Sequence, residues 1–211
     1  MKKKLLYFAL AICLFSGCSS SANAPSKIAS TEKSSEDITS EQNDSIKIDS
    51  FRDYQWGTSM DDIRSKEITA DMKEDIDYSE ESESDFKGIS ITHGDVAGYD
   101  ASIGFVFEND KLEAGGYLVN EKNDKVYSDL FKKYSSKYGT PVISTESVGW
   151  GPCHIWIDND KNFICFNDLS GISYVSKDCS SYINELNDLL KEFYKIDLIE
   201  SLNQIGNTDG I

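Results

Sequence analysis

The sequence predicts an α+β domain, in which an antiparallel sheet made of two meanders packs against two or three helices. Apolar residues alternate with small or polar ones over 89–120 and again over 142–176, which is typical of strands. Between and after these segments, apolar residues recur at helical spacing. The changes of period therefore predict the order meander, helix, meander, helix.

A short helix is predicted before the first meander, and an acidic segment follows it. Ser59 and Asp62 have the S-x-x-D spacing of a capping box, so this helix should begin near Met60. Residues 71–87 carry a dense run of carboxylates. Crowded like charges repel one another, so we expect this run to be a solvated, mobile excursion.

Turn residues divide the first meander into separate strands. Ile103, Phe105 and Phe107 alternate with Gly104 and Val106, residues 108–111 have turn composition, and 112–119 form the returning strand. Gly115 and Gly116 either weaken that strand or mark a bulge.

The helix that follows should run from about Asn123 to Tyr138, because Gly139 and Pro141 stop it. Its apolar face should pack on the sheet. That face is formed by Tyr127, Leu130, Phe131, Tyr134 and Tyr138.

The second meander and the last helix complete the domain. The helix should begin at Ser180 or Ser181, and residues 197–211 could extend it briefly. The strands are rich in β-branched and aromatic residues and are predicted near 142–149, 153–157, 163–167 and 172–176.

The net charge excludes one class of partner. The whole chain carries −16, and residues 1–17 contain three lysines and no acid, so the remainder carries −19. Nucleic-acid binding depends on lysine and arginine neutralising phosphates, so we expect no nucleic-acid partner. Direct adhesion to anionic lipid or wall polymer is disfavoured for the same reason. The charge either keeps the protein soluble or steers a basic partner toward it.

The N-terminus has the pattern of an exported, lipidated protein. Three lysines precede the apolar run 5–15, which is too short for a stable membrane span. Ser16 and Gly17 then precede Cys18. This pattern resembles the lipobox of bacterial lipoproteins, with Phe15 where leucine is usual. The resemblance implies cleavage before Cys18, a diacylglyceryl group on its thiol, and attachment to the cell membrane on the extracytoplasmic side. An ordinary secretory signal with an incidental cysteine is the alternative.

Three ranges follow from this pattern: a signal peptide at 1–17, a lipidated cysteine with its linker at 18–46, and one domain at 47–211. Residues 19–46 contain almost no large apolar side chain, so they should form a flexible tether rather than an ordered arm. Two acyl chains suffice for stable attachment to a bilayer, whereas one does not.

The folded part also resembles known domains. The segment Phe51–Ser59, the helix ending Tyr138-Gly139-Thr140-Pro141 and the two meanders are similar to uncharacterised domains of Gram-positive lipoproteins and small secreted proteins. The resemblance spans about residues 48–177 and implies no activity.

Three cysteines remain after Cys13 and Cys18 are assigned, and export permits their oxidation. A three-residue turn at 158–160 would place Cys153 opposite Cys165 on one face, near disulfide distance. Cys179 would then be the free thiol. Alternatively, all three are small buried apolar residues.

No motif predicts catalysis or metal binding. Residues 158–162 begin like a calcium loop, but Phe163 and Leu169 replace the glycine and glutamate that such a loop needs. Cys153 and His154 are neighbours in a strand, so they point to opposite faces and cannot share a proton. We therefore expect no catalytic residue, no metal and no cofactor.

The sequence thus favours an extracytoplasmic lipoprotein with a non-enzymatic protein-binding or accessory domain. Its partners would be the lipid bilayer, through Cys18, and a basic extracytoplasmic protein. Two alternatives stay open: a cell-wall hydrolase with paired carboxylates, and an immunity or inhibitor lipoprotein that blocks a basic toxin or enzyme.

Overall fold

A computed structural model describes residues 46–69, 78–83, 86–121, 123–147, 151–167 and 171–205. Its elements, in chain order, are β1 (Ser50–Phe51), β2 (Tyr54–Gln55), α1 (Met60–Glu67), β3 (Tyr78–Glu83), β4 (Phe86–Val96), β5 (Tyr99–Glu108), β6 (Lys111–Val119), α2 (Asp124–Tyr138), β7 (Ile143–Ser147), β8 (Gly151–Ile157), β9 (Phe163–Asn167), β10 (Gly171–Val175), α3 (Ser180–Tyr194) and α4 (Leu198–Gln204).

The main sheet has eight strands in the order β3-β4-β5-β6-β10-β9-β8-β7. Each meander contributes four antiparallel strands, and the two meanders meet where β6 pairs with β10. The strands β1 and β2 form a separate two-stranded sheet. The predicted α+β class with two meanders is confirmed, although the described residues form four helices rather than two or three.

Helices cover the two faces of the main sheet differently. One face packs against α1 and α2 over both meanders, in a core rich in aromatic rings. The other face packs against α3 and α4, and this second core draws mainly on β8–β10. The largest buried side chains of the α2 face are Phe51, Phe105, Phe107 and Trp156.

The predicted start of α1 and both predicted limits of α2 are confirmed. The Ser59 hydroxyl accepts a hydrogen bond from the Asp62 backbone N–H at 3.2 Å, as a capping box requires. Asn123 Oδ1 accepts from the Val126 N–H at 3.0 Å and so caps the start of α2. Gly139 ends α2 with a φ of 73°, which favours glycine.

The returning strand β6 is continuous, and its bulge lies before the two glycines. Val106 pairs with Ala114 and Phe107 pairs with Leu112, so Glu113 is the extra residue. Gly115 instead makes room for the fully buried Phe51 ring, since a Cβ added there would lie 2.1 Å from the ring.

This close approach predicts a stability effect. Gly115→Ala should lower the free energy of unfolding by about 1–3 kcal/mol, because the new methyl group overpacks a filled core. Phe51→Leu in the same chain should recover part of that loss. Urea denaturation of the two single variants and the double variant measures the coupling. Simple addition of the two losses would contradict this steric account.

The expectation for the acidic run 71–87 is wrong in part. Residues 78–83 form β3, the edge strand that pairs with β4. The Arg64 guanidinium donates to both carboxylate oxygens of Glu80, at 2.6 and 2.9 Å, and thereby joins this strand to α1. One opposite charge thus offsets part of the local repulsion. Residues 70–77 and 84–85 lie outside the described residues.

The predicted register of the β8–β9 hairpin is wrong. Ile157 pairs with Phe163, Ile155 with Cys165, and Cys153 with Asn167, so Cys153 and Cys165 are diagonal neighbours. The turn does have three residues, but it lies one position later than predicted, at 159–161, and the Asp158 N–H closes it by donating to the Asn162 carbonyl at 2.9 Å. The buried Asp158 carboxylate also accepts hydrogen bonds from the Asn162 backbone N–H and side-chain amide, which holds the turn in this register.

The N-terminal predictions fall on residues that the structure does not describe. The signal peptide at 1–17, Cys18 and nearly all of the tether lie outside the described residues. Within the described ranges, no helix has the length and apolar character needed to span a bilayer.

Candidate binding groove beside helix α2

Two adjacent cavities lie between the first half of α2 and the ends of the strands that it covers. The inner cavity has a volume of about 360 Å³ and the outer cavity about 510 Å³. Both are lined by Tyr127 and Pro152. We call the two cavities together the α2 groove.

The inner cavity has an apolar wall and a polar rim. The exposed side chains of Glu121, Asn123 and Asp124 lie at the rim. Asn123 donates to the Glu121 carboxylate at 2.7 Å, which holds both side chains at the mouth. The apolar wall consists of Leu118, Val119, Val126, Tyr127, Leu130, Phe166 and Ile172.

The outer cavity contains a hydrogen-bonded pair of polar side chains next to an aromatic ring. Ser144 Oγ lies 2.8 Å from His154 Nδ1, and these residues are directly opposite in the β7–β8 pairing. The His154 ring is packed against Phe131, with 4.1 Å between ring centroids. Ser128 of α2 is exposed on the other side of this cavity.

Tyr127 separates the two cavities. Its ring stacks on Phe166 at 4.4 Å between centroids, with an interplanar angle of 25°. Its hydroxyl donates to the Pro152 carbonyl at 3.3 Å. The half-buried Tyr127 side chain is therefore held from two sides as a wall within the groove.

The three cysteines lie away from this groove, on the α3 face of the sheet. Cys153, Cys165 and Cys179 are free thiols, and each is 0% exposed. Contact with Cys165 and burial raise the pKa of the Cys153 thiol far above its usual range. Burial raises the pKa of Cys179 to about 12. His154 points to the opposite face of the sheet from Cys153, as predicted.

Burial and raised pKa values predict inert thiols. At pH 8 we expect iodoacetamide to modify none of the three in the native chain within minutes, and all three in urea, since the thiolate is the reactive form. Mass spectrometry without reduction measures both states. A Cys153–Cys165 disulfide in the native protein would support the sequence-based pairing instead, and rapid native alkylation would contradict the burial.

The carboxyl groups with raised pKa values do not meet in the groove. Burial raises the pKa of Glu113, on β6, and of Glu185, on α3. Neither residue lines the inner or the outer cavity. Among the described residues, no group of three or more His, Cys, Asp and Glu side chains is placed to hold a metal ion.

Sequence reasoning missed the groove, although it identified the helix that forms it. Tyr127 and Phe131 were predicted as part of a face packed on the sheet, and they are only half-buried. The Ser144–His154 pair depends on the β7–β8 register, which no local pattern specifies. Cys18, the predicted lipidation site, lies outside the described residues.

The chain matches no protein-family model, no curated protein and no solved structure.

Proposed function

We propose that this chain is a membrane-tethered extracytoplasmic lipoprotein whose domain binds another protein at the α2 groove and catalyses no reaction. The observation that carries the proposal is the groove. Its inner cavity has a largely apolar wall with polar groups at the rim, which is the usual composition of a binding site. Its outer cavity adds hydroxyl groups and the His154 ring beside Tyr127 and Phe131.

The place where the chain enters the domain supports this proposal. A Cβ at Gly139 would lie 3.7 Å from Ile46 Cδ1, so the first described residue is beside the C-terminal end of α2. The groove is at the N-terminal half of α2, and a helix of 15 residues is about 22 Å long. A tether attached at Ile46 would therefore join the domain at the end of α2 opposite the groove.

Charge favours a basic partner. The chain after residue 17 carries −19, and Glu121 and Asp124 lie at the mouth of the inner cavity. Opposite charges on a partner would accelerate association and would exclude acidic competitors.

A thiol footprint in intact cells tests the proposal. Ser128→Cys places one reactive thiol at the outer cavity, while the three cysteines of the described residues, Cys153, Cys165 and Cys179, are buried. Ser136→Cys is the matched control, because Ser136 is exposed on the same helix and lines neither cavity. A membrane-impermeant maleimide should label position 128 several-fold more slowly in cells than in the purified full-length protein, with no change at 136. If the labelling rate at position 128, relative to that at position 136, is the same in cells and in solution, occupancy of the groove is refuted.

The two alternative functions, a carboxylate hydrolase and an immunity or inhibitor lipoprotein, are not equally supported. No observation on the described residues favours a carboxylate hydrolase, because Glu113 and Glu185 lie apart from the groove. An immunity or inhibitor lipoprotein would use the same groove and the same charge. It differs in the partner, which would be a basic toxin or hydrolase, so the identity of the bound protein separates it from an accessory module.

A further inference from the structure

We propose that the partner of this chain adds an extended, basic strand to the open edge of β7, beside the outer cavity of the α2 groove. This inference rests on the proposed binding function, and it specifies how the bound polypeptide is held and which charge it carries.

The strand β7 lies at one edge of the main sheet. In the part of the chain that the structure describes, it pairs with β8 alone. Side chains at this edge reach solvent: Ser144 is exposed, and Val142, directly before the strand, is 57% exposed. An edge of this kind presents backbone N–H and C=O groups to which another extended chain can bond.

The β8–β9 hairpin shows which backbone groups of β8 point toward β7. The Asp158 N–H donates to the Asn162 carbonyl at 2.9 Å. Bonded and non-bonded pairs alternate along an antiparallel ladder, so the backbone of His154 bonds to β9. The backbone groups of Cys153 and Ile155 therefore point to β7, where they meet their register partners.

Pro152 leads to the same assignment by a separate route. It lies opposite Glu146 and has no N–H, so this pair suits the non-bonded position of the β7–β8 ladder. Thr145, opposite Cys153, then bonds to β8. The N–H and C=O groups of Ser144 and Glu146 point away from β8. An added strand would find two donors and two acceptors there, with the alternation that strand pairing requires.

The open edge is continuous with the outer cavity. Ser144 and Thr145 both line that cavity, and the Ser144 hydroxyl lies 2.8 Å from His154 Nδ1 within it. Opposite residues of neighbouring strands place their side chains on the same face of a sheet. The partner residue beside Ser144 would therefore face the hydroxyl groups of the outer cavity, so the edge and the groove form one binding site.

Charge favours a basic strand at this edge. Residues 139–151 contain Glu146 but no lysine or arginine, and the chain after residue 17 carries −19. An acidic segment, including one from a second copy of this chain, would be repelled. The other edge differs, because β3 contains three glutamates, one of which binds Arg64 of α1. Charged side chains of this kind deter strand addition, so β7 is the edge that suits a partner.

Hydrogen exchange in the detergent-solubilised full-length protein tests the inference. In the free protein, the amides of Ser144 and Glu146 should exchange faster than that of Thr145, which bonds to β8. The probe is a peptide of alternating threonine and valine with two lysines at each end. On binding, NMR should show exchange at 144 and 146 slowed at least tenfold. Protection at 144 and 146 before the peptide is added would overturn the inference, since another segment of this chain or a second copy would already cover the edge.

Two control peptides separate backbone pairing from charge. One has N-methyl groups on its central amides and cannot donate hydrogen bonds, and the other has glutamates in place of the lysines. Each should bind at least tenfold more weakly in fluorescence anisotropy. Equal binding of either control, or no binding of the threonine–valine peptide, would overturn the inference.

Ser144→Pro and Ser144→Ala form a matched pair of variants. Both remove the hydroxyl beside His154, but only proline removes the outward N–H. Because that N–H points away from β8, proline is compatible with the β7–β8 ladder. Ser144→Pro should bind the peptide about tenfold more weakly than Ser144→Ala, and equal affinities would overturn the inference. The N-methylated peptide makes the same test on the native chain, so the result does not depend on folding of the proline variant.

The two proposals can fail separately. If the peptide does not protect 144 and 146 but position 128 is protected in cells, the proposed function stands and strand addition is overturned. If the peptide protects 144 and 146 and position 128 is not protected in cells, strand addition is supported and the proposed function in the cell is refuted.

Discussion

Replacing Asp158 with alanine should lower the free energy of unfolding by about 2–4 kcal/mol. The carboxylate is 3% exposed and accepts three hydrogen bonds. The donors are the Ile48 backbone N–H at 2.9 Å, the Asn162 backbone N–H at 2.9 Å and the Asn162 side-chain amide at 3.1 Å. Each buried donor left without an acceptor costs about 1–3 kcal/mol, and relaxation of the turn recovers part of the total.

Asp160→Ala is the matched control for this prediction. Asp160 is in the same turn but is exposed, so its replacement should change the stability by less than about 0.5 kcal/mol. Asp158→Asn keeps one acceptor oxygen and should fall between the two. Urea denaturation of the full-length chains gives the three values. A loss at Asp158 no larger than that at Asp160 would show that the carboxylate does not hold the N-terminal segment to the β8–β9 turn.

Replacing Cys18 with serine should abolish lipidation and leave an uncleaved precursor. The resemblance to the lipobox implies a thioether between the Cys18 thiol and a diacylglyceryl group, and a serine hydroxyl does not replace that thiol. Each buried methylene of the lipid contributes about 0.8 kcal/mol to membrane attachment, so two chains account for stable anchoring.

Cys13→Ser is the control, because Cys13 would leave with the signal peptide and its replacement should not change processing. Intact-mass measurement of the protein extracted from membranes compares lipidation and cleavage in the native chain, the Cys18→Ser variant and the Cys13→Ser variant. A native protein whose mature N-terminus is unmodified would refute the lipoprotein assignment.

The sequence predicted the limits of helices where residues only a few positions apart set those limits. The start of α2 follows from the Asn123 cap and its end from Gly139, and both are contacts within a few positions. The alternation over 103–107 similarly predicted a strand, and Ile103, Phe105 and Phe107 all lie in the core beneath α2.

Contacts between distant residues explain what the sequence did not predict. The β8–β9 register depends on Asp158, whose carboxylate also binds the N–H of Ile48, 110 positions away. The ion pair between Arg64 and Glu80, which are 16 positions apart, joins β3 to α1. The joining of the meanders depends on β6 and β10, which are separated by α2 and three strands. None of these long-range pairings produces a periodic pattern in the sequence.

The groove was hidden for the same reason. An apolar helical stripe such as Tyr127, Phe131 and Tyr134 normally indicates a buried face. Of these, Tyr134 is buried and Tyr127 and Phe131 are partly buried, although Val126 and Leu130 in the same half of the helix are buried in the core. Which of these side chains is covered depends on contacts across the whole fold, and the helical pattern does not contain that information.

Photo-crosslinking in intact cells tests the binding function most directly. A benzophenone-bearing amino acid replaces Glu121 at the inner cavity, Ser128 at the outer cavity, or Ser136 as the control. The account predicts that the first two positions capture the same basic polypeptide and that position 136 does not. No adduct at 121 and 128, or an equal yield of the same adduct at 136, would contradict a binding site in the α2 groove.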